Sequence, residues 1–253
     1  MRVVKQSVLE IQIAVAKVNK YASRESGDTV EIVERPGVAG GFTAVLVDGQ
    51  GSGRAAKSLS NMVASKCVAL IKEGARDGVV ARAASDQLFA YRNGQVSATL
   101  NLLSVDFVSQ TLVITRNNPA PVYLARHKPS AEIKLTSLEE TSTPIGIYAR
   151  SRPVIIELEL EAGIWAIAFS DGLFEAGTRY EERINLPDVI SQQIQREGAT
   201  AQLCADMLLE IALRHDRQRP ADDMSVVVLT VQTRSGEDGD PLPRRLSLNV
   251  PFF

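Results

Sequence analysis

The order of apolar patterns along this chain predicts an α+β fold built on antiparallel sheets. About nine stretches have strand-like patterns and four have helical ones. The helices fall in pairs between groups of strands, not in βαβα alternation. A length of 253 residues, 45% hydrophobic and 23% charged, suits one globular domain with a sizeable core. No internal repeat or low-complexity tract interrupts it.

Residues 1–16 alternate, with Val8, Ile11, Ile13 and Val15 apolar among polar neighbours and a one-residue slip after Val8. Thr29–Arg35 and Phe42–Val47 read as a hairpin across the turn chemistry of Pro36-Gly37-Val38-Ala39-Gly40-Gly41. From Gly53 the period lengthens: Leu59, Met62, Val63, Cys67, Leu70 and Ile71 recur at helical spacing up to Gly74, and Val79–Arg92 makes a second helix. Strands return at Val96–Val105, Thr111–Thr115, Val122–Ala125, Val154–Leu160 and Gly163–Phe169. Helices at Leu186–Arg196 and Thr200–Arg214 precede a last strand, Ser225–Val231. The domain is read as residues 1–235. Gly236–Phe253, rich in Gly, Pro and charge, is a tail whose end, Val250-Pro251-Phe252-Phe253, either docks on the body or a partner or stays free.

Composition narrows the chemistry. A net charge of -2 gives no global field for nucleic acid or anionic lipid. Apolar runs such as Ile164–Phe169 are too short to span a bilayer, and the amino terminus has no secretion-signal pattern, so the expected location is cytoplasmic. Cys67 and Cys204 are far apart in helical segments and read as buried structural thiols. With only His127 and His215 besides, a His/Cys zinc site lacks ligands, so any metal should be a hard ion, Mg²⁺ or Mn²⁺, held by carboxylate oxygens.

Three aspartates share one context, an apolar strand meeting a polar turn. Ala44–Val47 runs into Asp48-Gly49-Gln50-Gly51-Ser52-Gly53, Trp165–Ser170 runs into Asp171-Gly172, and Asp222-Asp223-Met224 opens the last strand. Asp28 opens the strand expected to pair with the one ending at Asp48. If these strands are sheet neighbours, the carboxylates meet at one rim and repel each other unless cations neutralise them. Glycines after Asp48 and Asp171 would let a backbone carbonyl approach an ion. An Asp-Gly pair after a strand is also simply a good turn. Spacing alone therefore goes no further than an oxygen-ligand metal site.

Gly27-Asp28, Val47-Asp48-Gly49-Gln50-Gly51-Ser52-Gly53, Phe169-Ser170-Asp171-Gly172-Leu173-Phe174-Glu175-Ala176 and Asp222-Asp223-Met224-Ser225 occur in that order. Together they resemble the signature blocks of the metal-dependent protein phosphatases (the protein phosphatase 2C family). The most similar branch is the bacterial one of the stage II sporulation phosphatase and the sigma-factor regulators. Ala98-Thr99-Leu100 through Asn117-Asn118-Pro119-Ala120-Pro121 resembles that branch's middle segment, although Asn117-Asn118-Pro119 stands where Gly-His is usual. The likeness covers roughly residues 5–232.

The resemblance implies a four-layer α-β-β-α sandwich of two antiparallel sheets flanked by helix pairs. It implies two divalent ions, Mn²⁺ or Mg²⁺, on Asp28, Asp48, the Gly49 carbonyl, Asp171 and Asp222, with Asp223 orienting that set. A hydroxide bridging the ions would hydrolyse phosphoserine or phosphothreonine, with no side-chain nucleophile. Arg24 could reach the substrate phosphate, or could be an ordinary surface arginine. The implied substrate is a phosphorylated STAS-type partner in a stress or sporulation partner-switching pathway, docked on the metal rim and the Gly53–Arg92 helix pair.

Two rival readings stand beside it. Gly51-Ser52-Gly53-Arg54-Ala55-Ala56-Lys57-Ser58 follows a strand and opens a helix, as a phosphate-cradling loop of a Mg-dependent ATPase does. Ala56 stands where that loop needs glycine, and Lys57 is expected to be a solvated helix residue. The other rival is a catalytically inactive binding module that keeps the phosphatase fold.

Overall fold

The computed structural model describes residues 5–37, 40–127, 132–237 and 244–250. Residues 1–4 of the expected first strand, the turn residues Val38 and Ala39, and the terminal Pro251-Phe252-Phe253 lie outside the described residues.

Two five-stranded sheets form the centre, and every neighbouring pair of strands is antiparallel. One contains β2 (Asp28–Arg35), β3 (Gly41–Gly49), β4 (Ala98–Asp106), β5 (Thr111–Asn117) and β8 (Val154–Glu159), in the order β2-β3-β4-β5-β8. The other contains β1 (Lys5–Val18), β6 (Val122–Arg126), β7 (Lys134–Leu138), β9 (Ile164–Phe169) and β10 (Met224–Glu237), in the order β1-β10-β9-β6-β7. Helices α1 (Gly53–Lys72) and α2 (Asp77–Arg92) cover the first sheet. A short α3 (Asp171–Phe174) follows β9, and α4 (Leu186–Gln195) and α5 (Ala201–His215) cover the second.

Three apolar layers hold these elements together, which explains the strand patterns. Val45, Val47, Leu100 and Leu102 face α1 and α2, while Ala44, Leu46, Leu103 and Val105 face the other sheet. In β9, Trp165, Ile167 and Phe169 face α4 and α5, and Ile164, Ala166 and Ala168 face inward. A strand buried on both faces reads as a continuous apolar run, as Ile164–Phe169 does. The result is an α-β-β-α sandwich.

Several boundaries differ from the sequence reading. β1 pairs with β10 in unbroken register from Lys5↔Glu237 to Val18↔Met224, so the apparent slip after Val8 is not a bulge. Ile11, Ile13 and Val15 face the other sheet and Ala14 and Ala16 face the helices, so apolar residues occur at both parities. β10 continues past Val231 to Glu237, where among the described residues β1 is its only neighbour and polar residues are tolerated. β7 was not anticipated; it is a short edge strand with no buried residue.

Both cysteines are buried and free, and burial pushes each thiol up to about 12. The Arg35–Asp77 ion pair, supported by Thr43 and Ser104, ties the start of α2 to the first sheet. Among the described residues no helix is long and apolar enough to cross a membrane.

Candidate active site

The layer between the sheets ends in a polar row. Asp28 pairs with Asp48 and Asp48 with Thr99, so these three lie abreast on β2, β3 and β4, facing the other sheet. Opposite them the inward positions are Lys17, Ser225 and Ser170, at the ends of β1, β10 and β9. One residue beyond Ser170 comes Asp171, and Asp222 precedes β10. Four distant aspartates are thus delivered by two neighbouring strands of each sheet to one end of the sandwich.

Asp28 is fully buried, and among the described residues neither of its carboxylate oxygens has a hydrogen-bond partner. The Thr99 and Ser225 hydroxyls are orphaned in the same way. Burying an unpaired carboxylate is costly, and burial pushes Asp28 up to about 6, opposed by the nearby Ser225 and Ser170 hydroxyls and by Lys17. Asp48 is pushed up to about 9, first by burial and then by the charges of Asp28, Asp171 and Asp222. Asp222 is raised too, again mainly by burial, with Lys20 Nζ 4.0 Å away opposing the shift. This is the electrostatic signature of anions held together without enough counter-charge. They do not close on one point: among the described residues no three His, Cys, Asp or Glu side chains stand close enough together to hold one ion.

Two lysines reach behind this row. Lys57 Nζ on α1 donates to the Asp28 carbonyl at 2.8 Å and to Thr29 Oγ1 at 2.9 Å, and Lys17 Nζ donates to the same carbonyl at 3.0 Å. The expectation of a solvated Lys57 is therefore wrong. A Thr and a carbonyl at the start of β2 lie within its reach, and a long flexible ammonium satisfies them from the helix. β3 is antiparallel to both neighbours, so the loop after it also lacks the parallel-sheet setting of a phosphate-cradling loop.

Glycines set the backbone close. A Cβ on Gly49 would meet the Ala56 carbonyl oxygen at 2.2 Å, so only glycine lets α1 pack against the end of β3. A Cβ on Gly172 would meet the Asp223 carbonyl oxygen at 2.2 Å, which locks α3 to the start of β10. Asp223 is buried, and its carboxylate accepts the Lys20 and Gly27 N–H groups at 2.8 and 2.7 Å, fixing the loop that leads to Asp28.

An open cleft of about 460 Å³ borders Asp48, Gly49, Asp171 and Asp222. Its walls include Thr99, Asn118, Phe174 and Glu175, which the sequence places in the signature blocks without a role of their own. Asn118 donates from Nδ2 to the Phe169 carbonyl at 3.3 Å and accepts the Ala120 N–H at 2.9 Å, so it pins the β5–β6 turn beside Asp171. Buried Arg116 supports that turn by donating to the carbonyls of Asn118, Ala120 and Glu140. The Asn117-Asn118-Pro119 departure thus has a well-braced geometry, and its signal was the unusual Asn-Asn-Pro itself. Arg24 is exposed in the β1–β2 loop and does not line the cleft, and neither His127 nor His215 lines it.

Stage II sporulation protein E from Bacillus subtilis (strain 168) is 24% identical over 228 residues, which is 89% of this chain and 25% of that protein. The chain therefore spans about a quarter of that relative's length. The solved phosphatase domain of the same B. subtilis protein, with a fragment of its regulatory domain, superimposes with a TM-score of 0.74 at 20% identity, covering 91% of this chain and 66% of that one. The catalytic domain of the serine/threonine protein phosphatase PstP in complex with two manganese ions gives a TM-score of 0.66 at 18% identity, covering 89% of this chain and all of that one. At these identities the likenesses speak to the fold. Residues 39–232 match the model of the Stage II sporulation protein E (SpoIIE) family, and the chain belongs to that family.

Proposed function

We propose that this protein is a metal-dependent serine/threonine phosphatase. The observation that supports it most is the buried Asp28, with both oxygens unpartnered among the described residues, abreast of an Asp48 whose protonation is favoured first by burial and then by three neighbouring carboxylates. Such a layer is unfavourable on its own and suits divalent cations with all-oxygen ligands. Asp28, Asp48, the Gly49 carbonyl, Asp171 and Asp222 would hold two Mn²⁺ or Mg²⁺ ions, with Asp223 keeping the Asp28 loop in place. Bound there, the ions would supply an acidified water as nucleophile and offset charge on the phosphoryl oxygens.

The chain's own residues do the rest. The cleft admits a phosphorylated side chain, and Thr99, abreast of Asp48, lines its wall with its hydroxyl buried and unpartnered among the described residues. Asn118 and Arg116 brace the β5–β6 turn beside Thr99 and keep that wall rigid, which preserves the approach angle of the substrate. The substrate we infer is a phosphoserine or phosphothreonine on a STAS-type partner in a stress or sporulation partner-switching pathway. Membership of the SpoIIE family supports that reading.

The test is incubation with phosphorylated STAS domains, with and without Mn²⁺, read by intact mass. Loss of about 80 Da, the mass that one phosphorylation adds, is expected only with metal and not with Asp171→Ala. Micromolar ATP binding without hydrolysis of any phosphoester would favour the nucleotide-binding alternative. Metal binding without turnover would favour an inactive docking module.

A further inference from the structure

Three loops deliver Asp28, Asp171 and Asp222, and the same three loops build an arginine-aromatic surface beside the cleft. They are the β1–β2 loop, the segment from α3 to α4, and the α5–β10 loop. Arg183 stacks on Phe174, with its guanidinium carbon 4.6 Å from the ring centre, and pairs with Glu175 at 2.9 Å; Phe174 and Glu175 also line the cleft. Arg179 and Arg217 both lie on Tyr180, at 4.9 and 4.1 Å. Arg219 lies on Tyr21 at 5.4 Å, and its carbonyl accepts a hydrogen bond from Arg179 at 2.7 Å. All four arginines are exposed.

The loops are held in register. Buried Asp216 accepts the Gly177 N–H at 2.8 Å and the Ala221 N–H at 2.7 Å, and the Tyr21 N–H donates to the Pro220 carbonyl. The backbone here is also strained. Of seven non-glycine residues with left-handed φ among the described residues, Ala22, Glu181, Arg217 and Gln218 belong to these loops. Left-handed conformations of such residues are costly and persist where the surroundings enforce them, commonly at functional surfaces. Stacking on a ring fixes a guanidinium and leaves its in-plane N–H donors free for a carboxylate. Glu175 and Glu182 occupy Arg183 and Arg217, but among the described residues neither Arg179 nor Arg219 has an ion-paired carboxylate.

We propose that this surface docks an acidic protein face, namely carboxylates flanking the phosphorylated residue that enters the cleft. The inference rests on the phosphatase reading for its substrate, and on charge complementarity and continuity with the cleft for its place. Arg179 and Arg219 supply the unpaired charge, and Tyr180 and Tyr21 keep it poised.

The experiment compares the native protein, the triple variant Arg179→Gln/Arg217→Gln/Arg219→Gln and the remote control Arg92→Gln, all with Mn²⁺. Substrates are phosphoserine peptides flanked by Asp and Glu or by Asn and Gln, and p-nitrophenyl phosphate. The native protein and the control should prefer the acidic peptide by about ten-fold in kcat/KM at low salt, and that preference should fade towards about 0.3 M salt. The triple variant should lose the preference, keep its rate on p-nitrophenyl phosphate, and stay within about 3 °C in Tm. Equal rates on both peptides by the native protein would overturn the proposal, as would equal losses on all three substrates by a folded variant. Fluorescence anisotropy with the acidic phosphopeptide in EDTA reads the surface without turnover. Charge-dependent binding there would uphold the surface even if hydrolysis failed and the phosphatase reading fell with it. An RNA oligomer that displaces the peptide with higher affinity would overturn the assignment to an acidic protein.

Discussion

Asp48 is the residue whose charge state says most about the site. Its folded-state pKa of about 9 lies far above that of a free carboxylate, and Asp28 at about 6 is raised in the same direction. Between the ordinary carboxylate range and those values the metal-free folded protein holds more protons than the unfolded chain. Its stability therefore falls as pH rises through that window. In EDTA, Tm should drop steadily from pH 5 to pH 9. Asp48→Asn should flatten that slope and raise Tm at pH 8 by about 2–4 °C, the shift expected from about 1 kcal/mol in a chain of this size. A pH-independent Tm would show that the carboxylates do not feel one another. The opposite sign is expected at Lys57, whose ammonium serves both the Asp28 carbonyl and Thr29. Lys57→Met should cost about 1–3 kcal/mol in urea unfolding without metal, because Thr29 Oγ1 loses an ammonium donor and the Asp28 carbonyl keeps only that of Lys17. These residues differ in legibility. Each aspartate was visible because it stood where an apolar strand meets a polar turn, Asp48 and Asp171 after a strand and Asp28 and Asp222 before one. Lys17 and Lys57 were not, because a lysine at a strand end or on a helix looks solvated until the fold shows what lies within its reach.

Elements were legible wherever one periodicity dominated. Helices α1, α2, α4 and α5 follow from spacing because each presents one apolar face to a distinct layer, and the β2–β3 hairpin follows from the turn chemistry between its strands. β1 showed an apparent slip because both its faces are covered, and β7 was missed because a short half-exposed edge strand has little apolar signal. Extra length in β10 escaped notice because its last residues pair only with β1 and need no apolar face. Contact between elements leads to two predictions. Gly49→Ala places a methyl group against the Ala56 carbonyl, and neither backbone can yield freely. It should cost about 1–3 kcal/mol by denaturant midpoint and should weaken Mn²⁺ binding with it, since α1 and the Gly49 carbonyl move together. An unchanged midpoint would mean that α1 does not sit tightly on β3. Asp77→Ala leaves the half-buried Arg35 without its carboxylate and should cost about 3 kcal/mol, read as a fall in the urea midpoint. A loss no larger than that of an exposed ion pair would show that the Arg35 side chain finds water.

At the scale of the molecule, the sandwich explains why residues from four distant stretches of chain can form one site. Each sheet sends two adjacent strands to the same end, and the apolar layer between the sheets stops one residue short of the rim. From the sequence, the polar ends of the strands could be read, but not that the two sheets would bring those ends face to face. Only the family resemblance supplied that, because the pairing of β9 with β10 joins residues about 60 positions apart and no local pattern encodes it. If divalent ions bind only the folded chain, saturating Mn²⁺ must raise its stability by mass action, and EDTA must reverse the gain. The most direct measurement is anomalous diffraction at the manganese edge from crystals grown in Mn²⁺. Two anomalous peaks are expected among Asp28, Asp48, the Gly49 carbonyl, Asp171 and Asp222. Well-ordered crystals with no peak there, the carboxylates remaining apart, would contradict the metal-dependent reading.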